Sequence, residues 1–230
     1  MTVLSDQAIF QKRSHGDVVI EPFRMDDVNT ASYDVRLGPW FYRERPSEFT
    51  AEITNIYSPD TATRIWGEAQ QAERAVDWMK HKPGLDWRNI DESDRVILIR
   101  PQENLLCHTL EFIGGRRDIT TQMKARSTIG RLLLNVCQCA GQGDVGYYNR
   151  WTMEVYNRSP CRSLLLVVGR RVAQIVFDMT TPTKRDYGSE GHYQGSTDIK
   201  DMMESWNPGA MLPQAHTDKD IKRMVRNTGK

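Results

Sequence analysis

No stretch of the 230-residue chain approaches eighteen consecutive apolar residues, so an ordinary transmembrane helix is excluded. The first thirty residues hold no apolar run followed by a cleavage site, and a soluble, cytoplasmic protein is expected. Cysteine is sparse: Cys107, Cys137, Cys139 and Cys161 lack the spacing of a disulfide framework. Net charge is close to nil, with 31 basic residues against 30 acidic ones. No global field therefore attracts nucleic acid, and an anionic ligand has to be captured by a local cluster. Internal repeats are lacking too. What is present, 39% hydrophobic and 27% charged residues, suffices for one buried core, or for one domain with an insertion.

Most of the chain is cut into short segments of β-type composition: Asp17 to Ile20, Ser32 to Leu37, Val96 to Arg100, Asn104 to Thr109, Leu132 to Cys137, Trp151 to Tyr156, Ser163 to Val168 and Val172 to Phe177. Short strands separated by Gly, Pro, Asn and Asp predict an all-β barrel or sandwich over residues 1–200. Within it, Ile65, Ala69, Ala72, Val76 and Met79 recur at helical spacing and stop at Lys82-Pro83-Gly84. This predicts a helix over 61–80 in an insertion of about residues 59–90. Ser5 offers an N-cap for a helix over 5–13. From about residue 201 to 230 the composition becomes Met-, Asn- and Pro-punctuated, which reads as a C-terminal tail with a short basic helix over 218–226.

Several strings carry groups capable of chemistry. Lys124-Ala-Arg-Ser-Thr-Ile-Gly-Arg131 sets Ser127 and Thr128 after two cations and ahead of an apolar run. That is the pattern of a helix or turn start whose free backbone N–H groups take an anion, with Arg126 and Arg131 as charged partners for phosphate oxygens. The same string also reads as a surface turn with a serine cap. Gly143-Asp144-Val145-Gly146-Tyr147 is a turn whose aspartate either serves a ligand or bonds its own backbone. In Trp151-Thr-Met-Glu-Val-Tyr156 the alternation puts Glu154 with Thr152 and Tyr156, opposite Trp151, Met153 and Val155; most strand glutamates of this kind face solvent. Gly169-Arg-Arg-Val-Ala-Gln-Ile-Val-Phe177 is a turn feeding a core strand that contains Gln174. Ala31-Ser-Tyr-Asp-Val-Arg-Leu-Gly38 alternates as an amphipathic strand.

Taken in order over about residues 2–200, these strings resemble the dCTP deaminase branch of the trimeric dUTPase-like superfamily. The resemblance implies a mostly β, distorted β-barrel (β-clip) with a helical insertion, assembled as a homotrimer in which residues 31–38 build the subunit core and trimer contacts. It implies hydrolytic deamination of dCTP to dUTP and ammonia in pyrimidine deoxynucleotide metabolism, without zinc. Glu154, ten residues after Asp144, falls on the family's catalytic glutamate. Ser127 and the Ala140 carbonyl would hold the attacking water, Arg131 would orient it, and backbone groups from Val136 to Ala140 would read the base edge. Arg126, Thr128 and Gln174 are expected at the phosphates, Asp144 at the deoxyribose or a water, and Tyr147 under the sugar, where it leaves no room for a 2′-hydroxyl. Tyr187 and Gly191-His-Tyr-Gln-Gly195 resemble the segment that closes over the triphosphate, with His192 where relatives usually carry lysine.

The resemblance further implies Mg2+ on the triphosphate, held by phosphate oxygens and water rather than by a protein cage, and dUTP or dTTP as further ligands. Three rival readings stay open: a bifunctional deaminase and diphosphatase forming dUMP, a plain dUTPase whose Asp144-held water attacks the α-phosphorus, and a non-catalytic nucleotide-binding regulator. Zinc deaminases of nucleobases need His-x-Glu and Pro-Cys-x-x-Cys. Neither string occurs: Cys137-x-Cys139 has the wrong spacing, and none of the five histidines is followed by x-Glu. Gly141 and Gln142 stand where several relatives carry bulkier or basic residues.

Overall fold

A computed structural model describes residues 2–47, 53–185, 187, 193, 194, 196–218, 220 and 221. In chain order the strands are β1 (Thr2–Val3), β2 (Val18–Glu21), β3 (Val28–Asn29), β4 (Ser32–Arg43), β5 (Gln70–Gln71), β6 (Glu73–Arg74), β7 (Arg95–Ile99), β8 (Asn104–Gly115), β9 (Ile119–Ala125), β10 (Leu134–Asn135), β11 (Gln142–Gly143), β12 (Tyr148–Asn157), β13 (Leu164–Val167) and β14 (Arg171–Met179). All their pairings are antiparallel. The main sheet runs β10-β12-β8-β4-β14-β9-β11, with β1, β2, β3 and β5 added at its margins, and β13-β7-β6 form a second, small sheet. The core between them is built from alternate residues of the long strands, including Tyr33, Val35, Leu37, Leu105, Cys107, Ile113, Met153, Val155, Ile175 and Phe177, all buried.

The β character and the short α1 (Asp6–Ser14) follow the sequence reading, and the Ser5 side chain caps α1 by accepting from Ala8 N–H at 3.3 Å. Three local expectations fail. The helix over 61–80 is two helices, α2 (Thr61–Trp66) and α3 (Ala75–His81). Gly67 takes φ +68°, which ends α2, and Gln70–Gln71 then pairs with Phe41 and Trp40 of β4. The expected strand Leu132 to Cys137 pairs only at Leu134–Asn135, because α4 (Ser127–Arg131) runs into it and Leu133 sits at φ +66°. Conversely β9 is a full strand between β14 and β11 although Thr120, Thr121, Gln122 and Lys124 give it no apolar alternation. Buried Thr120 satisfies its hydroxyl on the Gly143 carbonyl at 2.8 Å.

Residues 199–212 lie against the sheet. Asp198 caps α5 (Ile199–Ser205) by accepting from Lys200 and Asp201 N–H. Met202 then packs with Phe112 and Tyr148, and Met211 with Tyr42 and Leu106, where Trp66 and Trp206 also meet. Of the basic helix expected over 218–226, only 218, 220 and 221 are among the described residues. No helix is long and apolar enough to cross a membrane among the described residues.

Candidate active site

β12 is held along nearly its whole length by β8 on one side and at its C-terminal end by β10 on the other. Its side chains alternate as the sequence requires: Trp151, Met153, Val155 and Asn157 are buried, while Arg150, Thr152, Glu154 and Tyr156 are partly exposed. Glu154 therefore faces a cavity of about 440 Å³ rather than bulk solvent. Its Oε2 is buried with no hydrogen-bond partner among the described residues. Burial raises the carboxyl above its ordinary value, while the backbone N–H groups of Glu154 itself and of Gln138 bond to it and pull the other way. The neighbouring Cys137 thiol is pushed up to about 11 by burial and by the Glu154 charge. A carboxyl held this way is poised to release and take up a proton nearer neutrality than an exposed glutamate.

The rest of the cavity wall is mixed. Ala140, Asp144, Tyr147 and Tyr187 line it together with Glu154, so five of the residues singled out in the sequence share one space. The turn that presents two of them is closed by Tyr147 N–H on the Asp144 carbonyl at 3.0 Å, with Gly146 at φ +92° in the third position, where such a turn demands positive φ. Asp144 is exposed at the turn. The Tyr147 ring stands edge-on to Trp151 at 5.4 Å and to Tyr187 at 5.3 Å, and Tyr187 N–H is anchored on the Val145 carbonyl. Burial raises the Tyr147 phenol, so it stays neutral. Val136 does not line the cavity, and its side chain is in the core.

The remaining predicted residues lie elsewhere on the chain. Ser127, Thr128 and Arg131 are exposed on α4 and do not line the Glu154 cavity. Arg126, not Ser127, is the N-cap of α4, and no side chain caps it. The Arg126 guanidinium pairs with Asp34 at 3.1 Å, beside Arg171, which approaches the same carboxylate at 3.4 Å. Gln174 sits on β14 between Asp34 and Lys124 of the flanking strands, away from the cavity. His192 falls outside the described residues. Beneath this region Arg36 donates to Glu111, with Nε 2.5 Å from Oε1 and the backbone N–H 2.9 Å from Oε2, and the pair is buried.

Residues 3–180 match the model of the dCTP deaminase-like family. The chain belongs to that family. It is 33% identical over 202 residues to a dCTP deaminase, dUMP-forming, of Methanopyrus kandleri, covering 85% of this chain and 92% of that protein. To a protein of the same description from Methanococcus aeolicus it is 27% identical over 190 residues, covering 80% and 88%. Its fold matches the crystal structure of a 2′-deoxycytidine 5′-triphosphate deaminase from Agrobacterium tumefaciens with a TM-score of 0.52 at 20% identity, covering 77% of this chain and 48% of that one. The architecture is thus mostly β, as the family resemblance implied, and shares its fold with that deaminase.

Within this deaminase-like frame several cavity residues escaped the sequence reading. Arg150 has the same parity on β12 as Thr152 and Glu154, a signal that was available. Its guanidinium lies over the Phe112 ring at 4.9 Å and the Trp206 ring at 4.5 Å. Trp206 and Met211, both cavity-lining, come from beyond the family-matched residues and gave no local signal. His108, whose ring lies tilted by 43° against Trp206 at 4.6 Å, is a core residue: its Nδ1 bonds the Thr109 carbonyl, and burial lowers it to about 4.

Proposed function

We propose that the protein is a dCTP deaminase that hydrolyses the 4-amino group of the cytosine and releases dUTP. The reading is carried by one observation: a partly buried glutamate with an orphaned carboxyl oxygen faces a cavity beside residues 136–140, in a chain of this family. The cytosine presents its N3 and O2 edge to the backbone of Val136 to Ala140. A water held near the Ala140 carbonyl gives a proton to Glu154 as its oxygen attacks C4. Glu154 passes that proton to N3, then takes the second one from the new C4 hydroxyl and gives it to the amine; the C4–N4 bond breaks, ammonia departs and a carbonyl remains at C4. One carboxyl acts as base and then as acid, for which burial has raised it in the useful direction.

Ser127 and Arg131 enter this scheme from a neighbouring subunit of a homotrimer. Their exposure on α4, away from the Glu154 cavity of the same chain, supports a site shared between chains, and so do Leu132 and Leu133, 57% and 40% exposed beside them. Arg126, already paired with Asp34, steadies α4 and offers its remaining donors to phosphate. Tyr147 packs under the sugar and Asp144 meets it at the turn. Among the described residues no cluster of three His, Cys, Asp or Glu side chains is arranged as a metal site. In this reading magnesium enters with the substrate, as the dCTP complex, and the chemistry assigned to Glu154 needs no zinc.

Relatives described as dUMP-forming, together with Asp144 on the cavity wall, favour a second reading in which dUTP is hydrolysed further to dUMP and pyrophosphate. His192, in place of a permanently charged lysine, weakens the grip on the triphosphate at neutral pH and argues for release of dUTP. An early time course on dCTP and magnesium, following ammonia and separating dUTP, dUMP and pyrophosphate, tests both. Accumulating dUTP is expected. dUMP and pyrophosphate rising in step with ammonia would establish the second reading, and absence of ammonia would refute deamination.

A further inference from the structure

We infer that the cavity continues past the cytosine ring into a subsite for an oxygen-bearing substituent on C5, recognised by Arg150. The inference rests on the deaminase reading above and names a substrate class for it. β12 presents Glu154, Thr152 and Arg150 to the cavity in that order; the step from Glu154 to Thr152 is that of a regular strand, about 6.5 Å, and the pairing with β8 shifts register between Thr152 and Arg150. Residues 136–140 approach β12 at the Glu154 end, since β10 pairs with Tyr156 and Asn157 and Gln138 N–H reaches the Glu154 carboxyl. A cytosine with its N3 edge toward that segment and C4 at Glu154 turns C5, the ring neighbour of C4 on the far side from N3, along β12 toward Thr152 and Arg150.

At that end the wall carries Trp206, against which Arg150 packs, while Leu106 stands opposite Glu154 with Met211 packed on it. Arg150 is held there by the Phe112 and Trp206 rings, and its Nε is buried with no hydrogen-bond partner among the described residues. Arg150 as a whole is partly exposed and lines the cavity, so a guanidinium N–H on the open side can meet an acceptor oxygen brought by a ligand. Ring contacts on the guanidinium restrict its movement, so its in-plane N–H groups have a defined direction. Hydroxymethyl at C5 supplies the oxygen; methyl fills the same space without it. The reaction is otherwise unchanged: water oxygen bonds to C4, the C4–N4 bond breaks, ammonia leaves, and the C5 substituent is neither oxidised nor reduced. Trp206 and Met211 lie outside residues 3–180, so this wall is an addition to the part of the chain that matches the family.

Ammonia release by the full-length protein from dCTP, 5-methyl-dCTP and 5-hydroxymethyl-dCTP tests the inference. The expected kcat/KM for the hydroxymethyl nucleotide exceeds that for the methyl one by about tenfold or more, as for a hydrogen bond to a charged donor. Arg150→Met should lower the ratio of hydroxymethyl to methyl turnover by about the same factor, with its melting temperature recorded alongside. Equal rates on the two substituted nucleotides in the wild-type protein would overturn the inference even if Arg150→Met failed to fold. An equal loss on all three nucleotides in a folded Arg150→Met protein would overturn it as well, leaving the arginine structural. Failure of the deaminase reading is a separate result, namely no ammonia from dCTP. Calorimetric binding of the three nucleotides to the Glu154→Gln protein then tests the subsite alone: the same tenfold preference is expected, and equal affinities refute it.

Discussion

Replacing Glu154 by Gln should abolish turnover and at the same time stabilise the protein, in a pH-dependent way. The carboxyl has one oxygen buried without a partner among the described residues, and burial raises it above its ordinary 4.5. The folded state thus holds the proton more tightly than the unfolded chain does. Stability contributed by the protonated group is complete below about 4.5 and is lost as pH rises through the raised folded-state value. Gln keeps the shape and does not titrate. Gln leaves a neutral polar atom in the same place, so only the cost of burying the charge is removed, on the order of 1 kcal/mol where the side chain lines an open cavity. A gain of about 1 kcal/mol corresponds to about 2–4 °C in melting temperature for a chain of this size. Melting curves of both proteins should therefore coincide near pH 4 and separate by that amount near pH 8, while deamination falls by about 100-fold to 10,000-fold with dCTP binding retained. A Gln variant that melts lower than wild type at pH 8, or higher by the same margin at every pH, would refute the description of Glu154 as a buried, strained carboxyl.

Glu111→Ala leaves Arg36 with Asp27 at 3.6 Å as its remaining acidic partner, and breaking such a buried pair is expected to cost about 3–5 kcal/mol, or about 6–20 °C, by thermal melting. If Tyr147 packs under the sugar as proposed, release of ammonia should be far faster from dCTP than from CTP; equal rates would remove Tyr147 from the sugar site. If the site is shared between subunits, Arg131→Ala and Glu154→Ala proteins, each inactive, should recover part of the activity when dissociated and reassembled together. Verified mixed oligomers without any recovery would mean that each site lies within one chain.

What the sequence by itself determined is local. The face on which Glu154 stands, the Ser5 cap and the end of α3 before Lys82-Pro83 follow from side-chain period, hydroxyl geometry and the rigidity of proline, none of which depends on distant residues. The order of motifs pointed to the family and hence to the Glu154, Asp144 and Tyr147 group that the fold does gather in one cavity. Tertiary structure alone decided the rest. β9 is a strand because β14 and β11 pair with it on both sides, although its threonines, glutamine and lysine carry no such pattern. The predicted single helix is split because pairing of β5 with β4 outweighs helical spacing in residues 65–79. Arg126 is drawn to Asp34, ninety-two positions away in sequence, and Arg150 to Trp206, fifty-six away. Those partners, and the absence of one for the Glu154 oxygen among the described residues, arise only when the folded sheet brings distant side chains together and excludes water from between them.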